Sequence, residues 1–202
     1  MRKIILAAGS ALSLWSFTHS ALAEDRWTQF YAGVYGDYSI LNTHLSGGNS
    51  YVFDVKGFSG GVMLGYDHQF DMLVAGVEAD VGYDGVSGGY YGIGGPWNVD
   101  TRGVNFAGRV RLGIAQGDFL LYGTGGVAST PFNVNYNNGF SVINQNEVGW
   151  QAGLGAEYAV NEHVNVRGEY LYTGYGDLGT ALGTTKMPTN TSTFRIGVAY
   201  KF

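Results

Sequence analysis

Charged side chains recur at every second position of several apolar segments, and they are the residues best placed to do chemistry in this sequence. Glu78 and Asp80 alternate with apolar residues, and Arg109 and Arg111 do the same further along the chain. Residues two apart share one face of a β-strand, so these charges project opposite the apolar face. Gathered in one interior, such charges could carry ions, hold a polar ligand or neutralise one another as buried ion pairs. The predicted set of inward-facing charges is Glu78, Asp80, Arg109, Arg111, Glu157, Arg167, Glu169, Arg195 and Lys201.

Patterns typical of enzymes are weak, and we predict no catalytic, cofactor-binding or metal-binding residues and no enzymatic activity. Residues 123–128 fit the dinucleotide pattern G-x-G-x-x-A, but Ser129-Thr130-Pro131 follows and no helical pattern begins there. The four histidines are scattered and Cys is absent, so no metal-ligand spacing occurs. His44 and Ser46 have the spacing of a base and a nucleophile but lack a fixed acidic partner, which leaves a lipid hydrolase as a remote alternative.

The composition favours a Gly- and aromatic-rich all-β protein of one domain. The 202 residues include 34 Gly, and aromatic residues make up 15%. Charged residues make up 13%, against about 25% in a typical soluble domain. A hydrophobic fraction of 45% argues against disorder, and the lack of Cys excludes a disulfide scaffold. Beyond the first residues, no segment approaches the roughly 18 consecutive apolar residues of a membrane-spanning helix.

The first 23 residues are predicted to be a secretory signal peptide. A short basic start, Arg2-Lys3, precedes the apolar stretch 4–17, and Ala21-Leu22-Ala23 has the small-x-small form of a cleavage site. The remaining residues, 24–202, form the predicted barrel domain. They keep nine basic residues against 16 acidic ones, with no basic stripe, so nucleic acid is not an expected partner.

Alternation of apolar and polar residues predicts eight strands of about ten residues each. The facing of the fifth strand stays open because Leu120, Leu121 and Tyr122 are consecutive apolar residues. Strands of this length and even number, with aromatic residues near their ends, are typical of a transmembrane β-barrel, whose closure pairs every backbone group. The strands lie at 29–40, 58–67, 73–84, 105–114, 119–128, 147–158, 164–173 and 194–202.

The connections between these strands alternate in length. Short turns are predicted at 69–71, 116–118 and 161–163, and long loops at 41–56, 85–103, 129–145 and 174–192. Short periplasmic turns and long external loops are the pattern of outer-membrane barrels. A secreted β-sandwich or lipocalin-type barrel would also alternate, but Gly on the charged face would leave voids in a water-soluble core. The sequence therefore predicts an eight-stranded antiparallel transmembrane β-barrel.

Several short motifs resemble a known family when they are taken together. They are WTQFYAG at 27–33, GVEAD at 76–80, GRVRLG at 108–113, LLYGTGGVA at 120–128 and VRGEY at 166–170, with a terminal Phe202. The combination resembles the small porin-like outer-membrane immunogenic proteins of alphaproteobacteria, relatives of the OmpA-type eight-stranded barrel. The resemblance covers nearly all of residues 24–202. It implies a surface protein of the outer membrane, some of whose relatives bind haem or form weak pores, and it implies no catalytic residues.

The inward-facing charges allow two interpretations. They form either a plug of ion pairs that fills a narrow barrel or the wall of an ion or substrate path, and the small interior of eight strands favours the plug. Aromatic residues of the predicted long loops add a third possibility, the capture of a flat ligand such as haem at the surface. A membrane-interface belt with loop packing is the favoured interpretation of these residues, which are Tyr51, Phe53, Tyr90, Tyr91, Trp97, Phe132, Tyr136 and Phe140.

The last strand ends in an apolar alternation that finishes at an aromatic residue. The resemblance implies that the outer-membrane assembly machinery reads this segment, which comprises Phe194, Ile196, Val198, Tyr200 and Phe202. The expected partners are therefore that machinery, outer-membrane lipid and lipopolysaccharide, with an unidentified small surface ligand as an alternative. The expected location is the bacterial outer membrane, with no cofactor.

Overall fold

A computed structural model describes residues 26–45, 51–85, 87–92, 95–100, 102–136, 140–177 and 188–202. The predicted signal peptide lies outside these residues. The described residues form ten β-strands: β1 (Gln29–Leu45), β2 (Tyr51–Phe70), β3 (Leu73–Asp84), β4 (Ser87–Gly92), β5 (Gly95–Asp100), β6 (Gly103–Gln116), β7 (Phe119–Tyr136), β8 (Phe140–Ala159), β9 (Val164–Asp177) and β10 (Pro188–Lys201).

Eight of these ten strands close into an antiparallel barrel, which confirms the predicted fold. Their order around the barrel is β1, β2, β3, β6, β7, β8, β9 and β10. Pairing of β1 with β10, as at Val34 and Val198, joins the first strand to the last. Pairing of β7 with β8, as at Val127 and Trp150, completes the ring. Closure leaves the barrel without an edge strand whose backbone groups would face lipid unpaired.

The strands turn an apolar face outwards and a polar face inwards. Val62 and Ile196 are 56% and 74% exposed on the outer face. Leu120 and Tyr122 are buried inside the barrel, whereas Leu121 between them is exposed. That arrangement settles the facing of β7, which the sequence left open because both faces of that segment carry apolar residues.

Two groups of aromatic contacts surround the outer face, one near each end of the barrel. At the end with the short connections, which we call the turn end, Phe30 and Tyr66 lie 4.7 Å apart between ring centres. At the opposite, loop end, Tyr38 and Phe58 lie 5.2 Å apart. Tyr38 lies eight positions after Phe30, which at the rise and tilt of barrel strands is roughly 20 Å of height. These contacts mark two aromatic girdles on either side of an apolar band, as expected of a barrel in a bilayer.

The strands are longer than the predicted ten residues, so the predicted bounds of the long loops are wrong. Both β2 and β8 contain 20 residues. The predicted loop 41–56 is largely strand, since Leu45 pairs with Tyr51 across the β1–β2 hairpin. Backbone pairing continues past the apolar band, but apolar alternation stops there because both faces of the hairpin leave the lipid.

The hairpin formed by β4 and β5 lies within another predicted loop, 85–103. β5 pairs with the end of β7, so this hairpin adds two strands to the sheet beyond the closed ring. At the turn end, the short connections place Asp71 and Gly117 at φ values of 58° and 60°, which Gly adopts freely and Asp tolerates. Within the described ranges, no helix is long and apolar enough to span a membrane.

Candidate functional site in the charged interior

Strand register brings opposite charges together in the interior. Glu78 of β3 is the direct cross-strand neighbour of Arg109 of β6. Arg195 of β10 lies between Asp37 of β1 and Glu169 of β9 in the same way. Directly opposed residues in an antiparallel pair lie on the same face of the sheet, so alternation and register bring opposite charges close to one another.

Glu78 is the centre of the network and contacts arginines from two other strands. Its carboxylate accepts hydrogen bonds from Arg109 and from Arg167, the latter at 2.6 Å between Arg167 Nη1 and Glu78 Oε2. The Tyr31 hydroxyl donates to the same oxygen at 2.7 Å. A nitrogen of Arg111 lies 3.6 Å from that oxygen as a further ion pair. All of these charged groups are buried, so the carboxylate is neutralised by its partners rather than by water.

Towards the loop end, the network continues through Asp80 and Arg195. The Asp80 carboxylate lies 2.9 Å from Arg109 and 3.3 Å from Arg195. Arg195 also donates two hydrogen bonds of 2.8 Å to the two carboxylate oxygens of Asp37. Its guanidinium lies over the Tyr35 ring, 3.5 Å from the ring centre. A bidentate pair stacked on an aromatic ring fixes this arginine in one geometry.

Towards the turn end, Arg111 binds a second set of acidic groups. It lies 2.6 Å from Glu157 and 3.5 Å from Asp67, and its guanidinium is 4.0 Å from the centre of the Tyr122 ring. The Tyr122 hydroxyl donates to Glu169 at 2.9 Å. The interior charges therefore form a chain of contacts along the barrel rather than separate pairs.

Glycines provide the space that these large side chains occupy. A Cβ atom added at Gly65 would collide with the Tyr31 ring, and one added at Gly155 would collide with the Tyr122 ring. Each of these glycines lies directly across from the tyrosine that it accommodates. Both tyrosine hydroxyls bind network carboxylates, so the glycines are part of the packing that positions the charges.

Trp27 closes the turn end of the interior. It is 2% exposed and packs in an apolar cluster with Val74 and Leu120, among other residues. Its indole N–H donates to the Gly117 carbonyl at 3.4 Å, and its backbone N–H donates to Gln69 at 3.1 Å. The Lys201 ammonium lies 5.4 Å from the centre of its ring. The segment before β1 thus places a large aromatic side chain across the base of the barrel.

A cavity lies above the network at the loop end, and we call it the vestibule. Its cavity volume, measured as the space open to the centre of a water-sized sphere, is about 60 Å³, and all its empty space together with open solvent at its mouth amounts to about 620 Å³. Asp37, Asp80 and Arg195 line it where it meets the network, and Asp84, Asn105 and Tyr175 also line it. Seven of its other lining residues are Ser or Thr, and five are apolar. Polar space therefore extends from the loop end as far as the Arg195 ion pairs.

The structure places all nine predicted interior charges in buried positions. Eight of them contact one another or polar side chains of the network, whereas the Lys201 ammonium lies apart from it, over Trp27. Among the described residues, six carboxylates and five cations are buried, so the summed charge of these buried groups is close to neutral. The carboxylates are Asp37, Asp67, Glu78, Asp80, Glu157 and Glu169, and the cations are Arg109, Arg111, Arg167, Arg195 and Lys201.

Sequence reasoning omitted several members of this site. Asp37 and Asp67 fall on the polar faces of their strands, so the alternation could have found both. Tyr31 falls on the same face as Asp37, so the alternation places it inside as well, whereas Tyr122 stayed unassigned because the facing of residues 119–128 was left open. Trp27 precedes the first strand and carries no periodic signal.

The other patterns of the sequence lie elsewhere in the fold. Residues 123–128, which fit the dinucleotide pattern, lie inside β7, and that strand continues to Tyr136. Among the described residues, no group of three or more His, Asp or Glu side chains could hold a metal ion. His44 lies in β1, whereas Ser46 and His19 are outside the described residues, and so are the side chains of the eight aromatic residues predicted for the long loops.

The outward residues of the last strand form an apolar row on the lipid-facing side. The backbone N–H of Phe202 donates to the Phe30 carbonyl at 3.0 Å, which continues the β10–β1 pairing to the end of the strand. The exposed side chains of this row are Phe194, Ile196, Val198, Tyr200 and Phe202.

Comparison with known proteins identifies relatives over most of the chain. Residues 9–202 match the family model described as outer membrane protein beta-barrel domain. The 25 kDa outer-membrane immunogenic protein of Brucella melitensis is 32% identical over 178 residues, which cover 87% of this chain and 79% of that protein. The 22 kDa outer membrane protein of Rhizobium leguminosarum is 32% identical, with coverage of 87% and 78%.

Solved structures support the same fold. Neisserial surface protein A has a TM-score of 0.53 and 18% identity, and the match covers 86% of this chain and 97% of that one. OprG of Pseudomonas aeruginosa has a TM-score of 0.51 and 18% identity, with coverage of 89% and 99%. These likenesses concern the barrel fold alone. The family match and the Brucella and Rhizobium relatives show that this chain belongs to the outer-membrane β-barrel family, among the alphaproteobacterial outer-membrane immunogenic proteins, and resides in the bacterial outer membrane.

Proposed function

We propose that the barrel is a structural, surface-presenting protein of the outer membrane whose lumen is plugged by its own charged residues. The observation that carries this proposal is the shared binding of Glu78 by Arg109, Arg167 and Arg111. A permeating ion would have to separate charges that satisfy one another in a poorly hydrated interior, which is costly. The Trp27 cluster supports the same conclusion at the turn end.

The surface-presenting role follows from the two unequal ends of the barrel. In this proposal the short connections face the periplasm and the long hairpins, including β4 and β5, face the cell exterior. Several relatives are named immunogenic, which fits a protein that exposes its hairpins. The barrel has no enzymatic role in this proposal; it is embedded in outer-membrane lipid and lipopolysaccharide, and the assembly machinery inserts it through its last strand.

Recording currents from the refolded protein in a planar bilayer tests the plug. We expect no stable current steps above the background of the empty bilayer. Reproducible single-channel steps that depend on the protein would overturn the proposal.

A narrow channel is the second candidate, and the vestibule is the observation that favours it, because polar space reaches the ion pairs of Arg195. In a channel, Arg195→Ala would change the ion preference of the current. Lys56→Ala is the matched control, since it removes the same charge from an exposed position on β2. If both variants change the ion preference equally, or if neither variant changes it, Arg195 lies outside a conducting path.

A further inference from the structure

We infer that the vestibule is a binding site for a small organic cation with several hydrogen-bond donors, such as a short alkyl diammonium ion. The inference is separate from the plug, because a ligand can occupy the vestibule whether or not ions pass below it. It rests on three properties of the cavity: its closed base, the excess of acceptors on its walls, and one carboxylate, Asp84, that accepts its hydrogen bonds from neutral side chains.

The base of the vestibule is built of groups that already satisfy one another. Arg195 is held by Asp37 on one side and Asp80 on the other. Asp80 also accepts a hydrogen bond of 3.0 Å from the Tyr35 hydroxyl. The base therefore offers a ligand no unpaired charge, and it stops the ligand from moving deeper into the barrel.

The walls carry hydroxyl groups that are paired with one another. Ser39 and Thr193 lie 2.8 Å apart between their side-chain oxygens, and so do Thr130 and Tyr175. A hydroxyl has one hydrogen to donate but two lone pairs to accept with, so each internal hydrogen bond leaves more acceptors than donors. A donor-rich ligand is complementary to such a wall, whereas an anion is not.

Asp84 supplies the charge that selects a cation. Its carboxylate accepts hydrogen bonds from two neutral side chains, Asn105 and Ser59, whereas Asp37 and Asp80 bind arginines. A primary ammonium group has three donors, so it can bind this carboxylate and adjacent hydroxyls together. A bare metal ion is less suited, because among the described residues no group of three or more His, Asp or Glu side chains is placed so that it could hold a metal ion.

Titration calorimetry of the folded protein in detergent tests the inference, with 1,4-diaminobutane as the probe. We expect saturable binding at one site, and at least tenfold weaker binding of the neutral analogue 1,4-butanediol. Asp84→Asn should weaken diamine binding by about tenfold or more, as the loss of a charged hydrogen bond implies. Thr130→Val should weaken it by a smaller factor through loss of a wall hydroxyl.

Asp71→Asn is the matched control, because it removes the same charge at the opposite end of the barrel, from an exposed turn. It should leave binding unchanged, and a heat-dependent gel shift would verify that each variant is folded. Equal affinity for diamine and diol would overturn the inference, and so would absence of saturable binding. If Asp84→Asn and Asp71→Asn weaken diamine binding equally, general charge attraction replaces the proposed site. If magnesium displaces the bound diamine more than sodium does at the same ionic strength, the cavity is a site for inorganic cations instead.

Discussion

The inner and outer faces of the same strands follow different rules in this barrel. Outward residues such as Val62 and Ile196 are apolar, and other apolar side chains could replace them, because fluid lipid adapts to side chains of different shape. Inward residues are specific: Arg195 has two carboxylates and an aromatic ring as partners, each at a fixed register position. The outer face thus determines where the protein resides, whereas the inner face determines how its strands fit together.

Removal of Glu78 should cause the largest loss of unfolding free energy among substitutions on the inner face. Glu78→Ala leaves Arg109 and Arg167 without a shared carboxylate in a buried site, which should cost about 3–5 kcal/mol of unfolding free energy. The measurement is thermal unfolding in detergent, followed by the shift from folded to unfolded migration on a gel.

Asp118→Ala is the control for that change. Asp118 pairs with Arg26 at the surface of the turn end and its side chain is 46% exposed, so its loss should cost less than about 1 kcal/mol. Arg109→Ala should behave like Glu78→Ala, and combining the two should recover only part of the loss, because Glu78 also binds Arg167. If the losses of unfolding free energy in the two single variants simply add in the double variant, Glu78 and Arg109 are not coupled, which would contradict the network.

Trp27 offers a second contrast, between an interior and an exterior Trp. Trp27→Ala empties a buried site within an apolar cluster and should cost about 3–5 kcal/mol. Trp150→Ala removes a side chain that is 56% exposed on the outer face and should cost clearly less, because lipid can fill the space. Equal melting temperatures of the two variants would show that Trp27 does not close the barrel base.

The outer face could be predicted from the sequence better than the inner face. Apolar alternation is a one-dimensional pattern, so it located all eight barrel strands. The partners of a charge depend on register and on long side chains from three or four strands. Alternation places Glu78 and Arg109 inside, but the contact of Glu78 with Arg167 crosses the barrel between residues 89 positions apart. Strand ends also escaped prediction, because alternation stops where the hairpins leave the lipid.

A smaller contrast compares two tyrosine hydroxyls. Tyr122→Phe keeps the ring but removes a buried donor to Glu169, which should cost about 1.5–3 kcal/mol because the acceptor is charged. Tyr170→Phe removes an outer-face hydroxyl that lies 3.1 Å from Ser192, in an exposed setting, and should cost less than about 0.5 kcal/mol. Thermal unfolding of both variants in one detergent checks the difference, and a larger loss in Tyr170→Phe would contradict it.

The smallest contrast adds one methyl group to each face. Gly65→Ala places a Cβ against the Tyr31 ring and should cost about 1–3 kcal/mol through overpacking, whereas Gly108→Ala points into open space and should change stability little. Tyr31 must move to relieve the collision, and its hydroxyl would then lose its position beside Glu78 and Arg111. In a Tyr31→Ala background the ring is gone, so Gly65→Ala should lose most of its cost. Unfolding of the four variants of this cycle measures that coupling. An unchanged cost in the Tyr31→Ala background would mean that Gly65 is required by the backbone and not by the ring.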